Sequence, residues 1–389
     1  MKAEFLPGNR ITLLQSGSEY FPALIAAIDA ATADIYLETY IFADDDTGRN
    51  VAAALGRASR RAVVVRVLVD GFGARDFLSG LGRSLLADGV EALVFRPEIG
   101  RLRWRRHRLR RLHCKLVVID GRIAFVGGIN VIDDMDTPNQ LPPRFDYAVA
   151  VEGPLLPMIQ RAARHLWQIV RWATFHQRPP PPPPPAPPTR AVGDMVAAFL
   201  LRDNLRHRGD IEEAYLDAVG GARREIFIAS AYFLPGRRFR HALMEAARRG
   251  VEVVLLLQGR VEYVLLRYAS QALYGTLLKA GVRIFEYHKS FLHAKVAVVD
   301  ASWATVGSSN IDPFSFLLAR EANVVVRHGG FAAGLRDSLK RAMDDGAQEV
   351  RLEDQSRRPV LARLMSWLAY SAVRVLVGIA GYGRRVDVE

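Results

Sequence analysis

Two periodicities alternate along the chain. The stretches "ADIYLETYIF" (33–42), "VVVRVLVDGFGA" (63–74), "REIFIASAYFLP" (224–235) and "VEVVLLLQGR" (251–260) are near-continuous in Val, Leu and Ile, as strands covered on both faces are. Between them, "RNVAAALGRASRRA" (49–62) and "RRFRHALMEAARRG" (237–250) repeat apolar positions at helical spacing, and so do "SEYFPALIAAIDAA" (18–31) and "IEEAYLDAVGGA" (211–222). Strand, helix, strand, helix and hairpin recur in one order, and each copy is expected to open on a helix. The first strands are 191 residues apart (33 to 224), whereas the hairpins are 180 apart (113 to 293), so the copies differ by an insertion rather than by plan. The pattern predicts an α/β fold of two similar α/β/α-layered halves packed as a pseudo-dimer.

The hairpins carry the chemistry. "HCKLVVIDGRIAFVGGIN" (113–130) and "HAKVAVVDASWATVGSSN" (293–310) share His, Lys at plus two, Asp at plus seven, Gly at plus fourteen and Asn at plus seventeen, in a chain with only 9 His. Alternation along a strand puts His113 and Lys115 on one face, and likewise His293 and Lys295. Asp-Gly signals a two-residue hairpin turn at Gly121 and Arg122. That register sets Asn130 opposite His113 and Gly128 opposite Lys115. With Ala301 and Ser302 as the second turn, Asn310 faces His293 and Ser308 faces Lys295. Asp120 and Asp300 then fall on the opposite face or in the turn, where they fix backbone rather than react.

Two such patches facing one cavity suit a phosphodiester. The lysines, Asn130 and Asn310, with the Ser308 hydroxyl, would hold the non-bridging oxygens, one His would attack phosphorus, and the other would pass a proton to and from the alkoxide. A two-metal alternative needs clustered carboxylates, which neither motif supplies, so no metal and no cofactor are assigned.

At these residues the chain resembles the phospholipase D superfamily, whose signature is His-x-Lys-x4-Asp followed by Gly-Gly or Gly-Ser, one residue, and Asn. Within it, "IYLETYIFADDDTG", "VRVLVDGFG" and "GSSNIDPFS" are most similar to bacterial cardiolipin synthases of the short type lacking N-terminal membrane spans. The resemblance implies a phospholipase D-like fold with the active site between the halves. It makes His113, Lys115, Asp120, His293, Lys295 and Asp300 the catalytic signature, with a phosphohistidine on His113 and His293 as acid and base; the reverse assignment is the alternative. It further implies a His-orienting carboxylate beside each ring, here Glu321 and Asp146, and matches Glu38 to the family's first-strand Glu, whose counterpart in the second half is Ala229. The implied reaction joins two phosphatidylglycerol molecules into cardiolipin with release of glycerol. The alternatives are a phospholipase D-type hydrolase giving phosphatidic acid and, more distantly, a nucleic acid phosphodiesterase.

Composition narrows the partner. An excess of 53 Lys and Arg over 41 Asp and Glu, a net charge of +12, favours an anionic partner. The single Cys, Cys114, excludes an internal disulfide framework and reads as a buried small hydrophobe. No secretory signal opens the chain, and no uncharged apolar run reaches spanning length. The run "RLRWRRHRLRR" (101–111), with Arg101, Arg103, Trp104, Arg105 and Arg106, leads directly into His113. Residues 364–383, "LMSWLAYSAVRVLVGIAGYG", carry Trp367 and Arg374 on a helix suited to a membrane interface. Together they point to anionic lipid rather than nucleic acid, and to a peripheral protein on the cytoplasmic face of the bacterial inner membrane. The expected divisions are 1–176 and 191–358 for the two halves, 177–190 for a proline-rich linker and 359–389 for the membrane-associating segment.

Overall fold

The computed structural model describes residues 3–97, 110–137, 140–175, 190–203, 207–260 and 263–379. The arginines at 101, 103, 105 and 106, Trp104, and the proline-rich stretch lie outside them.

The first half runs β1 (Leu6–Gln15), α1 (Ser16–Asp29), β2 (Asp34–Thr39), α2 (Asp46–Arg60), β3 (Val64–Asp70), α3 (Leu81–Ala87), β4 (Glu91–Phe95), β5 (Lys115–Ile119), β6 (Ile123–Gly127), β7 (Arg144–Phe145), β8 (Tyr147–Glu152) and α4 (Leu156–Phe175). The second runs β9 (Met195–Arg202), α5 (Asp210–Gly221), β10 (Glu225–Ser230), α6 (Arg237–Arg248), β11 (Glu252–Gln258), α7 (Val264–Lys279), β12 (Arg283–Tyr287), β13 (Phe291–Leu292), β14 (Lys295–Val299), β15 (Trp303–Gly307), α8 (Pro313–Leu317), β16 (Glu321–Arg327) and α9 (Gly329–Gly346). A short β17 (Ala347–Glu349), α10 (Leu352–Ser356) and a long α11 (Val360–Ile379) follow.

Each half therefore opens on a strand, not on the expected helix. These two strands join the halves: β1 pairs with β8 through Arg10–Gln15 and with β9 through Leu6 and Asn9. Outward from that seam the order is β8-β6-β5-β2-β3-β4 on one side and β16-β15-β14-β10-β11-β12 on the other, the same order twice. In each half the last three strands are parallel, which requires the crossover helices that the 3.6-residue periodicity predicted.

Three apolar layers hold this arrangement. The central one takes Leu156, Ile159 and Ala163 of α4 and Phe331, Leu335 and Leu339 of α9, packed with Val118 and Val149 from one half and Val298 and Val324 from the other. The outer faces are covered by α1 and α2 through Leu24, Ile28, Val51 and Leu55, and by α5 to α7 through Tyr215, Leu243 and Leu277. The core is thus shared at its centre and separate at its edges.

The hairpins differ from expectation by one residue. Ile119 pairs with Ile123 and Val299 with Trp303, so each turn has three residues, not two. Asp120 (φ 52°) and Gly121 (φ 60°) are left-handed in the first turn, Asp300 (φ 53°) and Ala301 (φ 48°) in the second. The cause is the aspartate. Asp120 leaves the ladder to accept the backbone amides of Thr32, Ala33 and Asp34 and the Thr32 hydroxyl, while Asp300 accepts the amides of Arg223, Arg224 and Glu225. Lys115 consequently stands opposite Gly127, and the predicted pairing of Asn130 with His113 does not form.

Partial burial alone would push both turn carboxyls up, but the amides they accept hold each below the ordinary aspartate range. A folded value that is depressed gives stabilisation that is complete above the unfolded value of about 3.9 and fades as pH falls through the folded one. Asp120→Ala and Asp300→Ala are each expected to cost about 1–2 kcal/mol at pH 7. The gap to wild type should narrow as pH drops below about 4, which urea melts at two pH values will check.

Candidate active site

The two hairpins meet where the chain leaves β7 and enters β14, and where it enters β5 and β16. The amide of His113 donates to the carbonyl of Arg320 at 3.0 Å, and the amide of His293 donates to the carbonyl of Phe145 at 2.8 Å. Each His-bearing segment is thereby laid alongside the other half's segment that ends in an acid, with β7 and β13 paired in parallel.

The acids cross over. His113 Nδ1 lies 2.9 Å from Glu321 Oε1, and His293 Nδ1 lies 2.6 Å from Asp146 Oδ2, across 208 and 147 residues of sequence respectively. With Nδ1 engaged, Nε2 of each ring is the nitrogen left for a ligand. Glu321 is fully buried and receives the Ser308 hydroxyl on Oε2 at 2.5 Å. Ser308 in turn accepts the Ala322 amide. In this geometry the hydroxyl proton goes to the carboxylate, so Ser308 anchors the acid that holds His113. The first half does this differently. A Cβ on Gly128 would fall 2.3 Å from Asp146 Oδ1, so glycine is what lets Asp146 approach, and no hydroxyl is missing there.

The lysines lie deep. Lys115 is 3% exposed and donates to the His113 carbonyl at 2.6 Å, while Lys295 is 1% exposed and faces Asp146 Oδ2 at 3.4 Å. Burial drives Lys115 down to about 7 and Lys295 to about 8, against the pull of Glu321 and Asp146. Burial likewise lowers both histidines, with Lys295 adding to the effect at His293. Asp146 stays below its ordinary value because Lys295 and His293 outweigh its own burial. Two lysines and two carboxylates face each other in the centre, and an arriving phosphodiester anion would draw both lysines further toward their charged form.

Asn130 and Asn310 are 2% and 3% exposed. The Oδ1 of Asn130 accepts the Ile41 amide at 3.2 Å, which turns its Nδ2 into the available donor. Tyr40, beside Ile41, was not foreseen: its ring meets the His113 imidazole edge-on at 5.1 Å, and Lys115 Nζ lies 5.5 Å from its centroid. An aromatic residue just past a strand end gives no sign of such a role. Asp120 and Asp300, counted in the catalytic signature, sit at the far ends of β5 and β14 in the contacts described above and touch no reacting group. Glu38 points into the shared core, where its Oε2 accepts the Cys114 thiol at 3.1 Å, and burial drives its carboxyl up to about 7. Cys114 itself is 1% exposed. Among the described residues no group of three or more His, Cys, Asp or Glu side chains is placed to hold a metal ion.

Two His-Lys-Asn sets, each completed by an acid from the other half, match a known family. The family model described as "Cardiolipin synthase, PLD-like domain" covers residues 24–154 and again 215–343. The chain belongs to this family. It is 39% identical to cardiolipin synthase B of Escherichia coli (strain K12) over 98% of this chain and 92% of that one, and 32% identical to cardiolipin synthase A of Pseudomonas putida (strain KT2440) over 90% and 71%. In fold it is similar to the phosphatidylserine synthase of Haemophilus influenzae Rd KW20, with a TM-score of 0.71 at 15% identity and 97% of each chain covered. Family membership accounts for the doubled strand order, since the matched segments coincide with the two copies.

The carboxylate at His113 opposes the effect of burial. The His113 imidazole is expected to titrate below the ordinary value of about 6.5, and Glu321→Gln should move it lower still. Histidine-labelled NMR titration reads both shifts, and a value above 6.5 in the wild type would mean that Glu321 outweighs burial.

Proposed function

We propose that this protein is a peripheral membrane phosphatidyltransferase that makes cardiolipin from two phosphatidylglycerol molecules. The observation that carries the reading is the crossed pairing of His113 with Glu321 and His293 with Asp146, which aims two neutral imidazoles, each fixed at Nδ1, at one site. Such a pair supplies a nucleophile on one side of a phosphodiester and a proton carrier on the other.

In this reading phosphatidylglycerol binds with its phosphate between Lys115 and Lys295, and the side-chain amides of Asn130 and Asn310 face the non-bridging oxygens. His113 Nε2 attacks phosphorus; its side chain is 19% exposed against 10% for His293, so it is the more open of the two. The bond to the glycerol oxygen breaks, and His293, protonated once the anion has entered, gives its proton to that oxygen. Glycerol departs. A terminal hydroxyl of a second phosphatidylglycerol then loses its proton to His293 and attacks phosphorus, the bond to His113 breaks, and cardiolipin is formed. Two phosphatidylglycerols give one cardiolipin and one glycerol, and both histidines return to their starting state.

The membrane side of the proposal rests on α11. Ser366, Ala369 and Val373 are buried, and the helix packs on α7, whereas Leu361, Leu364, Trp367, Leu368 and Val375 are exposed. The guanidinium of Arg374 lies 5.9 Å from the Tyr370 ring. No helix among the described residues is long and apolar enough to cross a membrane. An apolar ridge with basic neighbours, lying on the protein rather than spanning, fits attachment to an anionic bilayer from one side, here assigned to the cytoplasmic face of the bacterial inner membrane.

Purified protein incubated with labelled phosphatidylglycerol vesicles should yield cardiolipin and glycerol in equal amounts. His113→Ala should lower the rate by roughly 10³-fold or more, and acid-labile, alkali-stable phosphate should appear on the wild-type chain. Phosphatidic acid as the sole product would make it a hydrolase; no lipid turnover would remove both readings. Trp367→Glu is expected to weaken flotation with anionic vesicles by roughly 10-fold or more, since burying a large apolar side chain contributes about 1.5–3 kcal/mol.

A further inference from the structure

The two halves share strand order but not what lies at the ends of the parallel strands. In open α/β sheets the crevice beyond the carboxyl ends of parallel strands is where ligands settle. In the first half the residue at the end of the central parallel strand is engaged by backbone. Asp70, the last residue of β3 and fully buried, accepts the amides of Phe72 and Gly73 at 2.8 and 3.2 Å and that of Leu112, next to His113, at 2.8 Å.

The second half has Gln258 at the same place, the last residue of β11. It is 7% exposed, and both its Nε2 and its Oε1 are buried without a hydrogen-bond partner among the described residues. Buried amides are nearly always paired, and one with both atoms free calls for an explanation. Gln258 lines a small, open-mouthed cavity of about 30 Å³ that continues into solvent. Its walls include Tyr232, Tyr263, Leu266 and Ser270, and Arg260 borders it. Arg260 donates Nε to the His288 carbonyl at 3.1 Å, which leaves its terminal nitrogens for another acceptor. The cavity adjoins the reacting centre: Ala231 on its wall donates its amide to the carbonyl of Ala294, the residue between His293 and Lys295.

We infer that this cavity is the polyol subsite, taking the glycerol group that leaves the donor and afterwards the glycerol group of the accepting phosphatidylglycerol. Gln258 hydrogen-bonds a hydroxyl of that group, and Arg260 faces the acceptor's phosphate. The inference rests on the transferase reading above. It deepens that reading because, with His113 as nucleophile, the departing and the attacking oxygen both lie on the His293 side, where the cavity is. A neutral amide that can donate and accept suits a hydroxyl, whereas the carboxylate at the matching place in the first half accepts three backbone amides and faces Arg111. Binding the acceptor's glycerol there also sets its hydroxyl against water as the second nucleophile.

The test is the partition of the common intermediate, because cardiolipin and phosphatidic acid form from it in a ratio independent of how fast it appears. With the full chain and phosphatidylglycerol vesicles, Gln258→Leu is expected to lower the cardiolipin to phosphatidic acid ratio roughly tenfold, the size of one lost hydrogen bond. Ser270→Leu, which fills the cavity from α7, should act in the same direction. A wild-type ratio in either variant overturns the subsite. Should both variants lose all turnover, exchange of labelled glycerol into phosphatidylglycerol by the wild type decides: saturation supports the subsite, and a linear rise with glycerol concentration overturns it. Wild-type protein that forms no cardiolipin overturns the transferase reading instead.

Discussion

Each histidine of the site is held by a carboxylate that the other half supplies, and much of the architecture follows from that exchange. Glu321 and Asp146 are 0% and 2% exposed, a placement that costs several kcal/mol per ion unless partners satisfy the oxygens. The partners are there: His113 and Ser308 for Glu321, and His293, Lys295 and the Tyr147 amide for Asp146. Neither half alone could bury its own acid in this way, since the ring that completes it arrives with the other half. The seam formed by β1 and β9, the paired β7 and β13, and the shared layer of α4 and α9 are what keep the two halves in the register this exchange demands.

The duplication is close in scaffold and loose in filling. Asp120 and Asp300 do the same work in both halves, each tying a hairpin to the amides that precede the neighbouring strand. Away from the scaffold the copies diverge. Ser308 is matched by Gly128, Gln258 by Asp70 and Ala229 by Glu38. The His, Lys and Asn of each motif and the turn aspartates kept their types, and the neighbours that surround them did not. An enzyme with a nucleophile and a proton carrier needs two similar rings in two dissimilar surroundings, and this is the pattern the substitutions produce.

The strands, helices and hairpins were legible because each is specified within a dozen residues, by runs of Val and Leu or by spacing of 3.6. Other features were not. β1 reads "LPGNRITLLQ", with Pro, Gly, Asn and Arg diluting its apolar positions, so nothing local marks it as a strand. The hairpin register failed by one residue because Asp-Gly ordinarily closes a two-residue turn, and here the Asp side chain is engaged by amides 86 to 88 residues away. Glu321 and Asp146 were assigned as orienting acids by resemblance to the family, but their crossing was invisible, since contacts spanning 208 and 147 residues leave no trace in spacing. The contact of Ser308 with Glu321 has the same root: which neighbour a hydroxyl serves is decided by the fold.

Buried charge also sets when the site is ready. With burial holding Lys115 near 7 and Lys295 near 8 in the empty centre, each amine sits where the arrival of an anion would favour its ammonium form. A phosphodiester brings that charge and favours the ammonium form of both lysines together. Water brings none. In the proposed reaction the second half, where His293 lies against the Asp146 and Lys295 pair and beside the crevice of Gln258, is the side that receives the incoming hydroxyl. On that proposal the choice between lipid and water is a matter of which one the crevice retains, because His293 can take a proton from either hydroxyl.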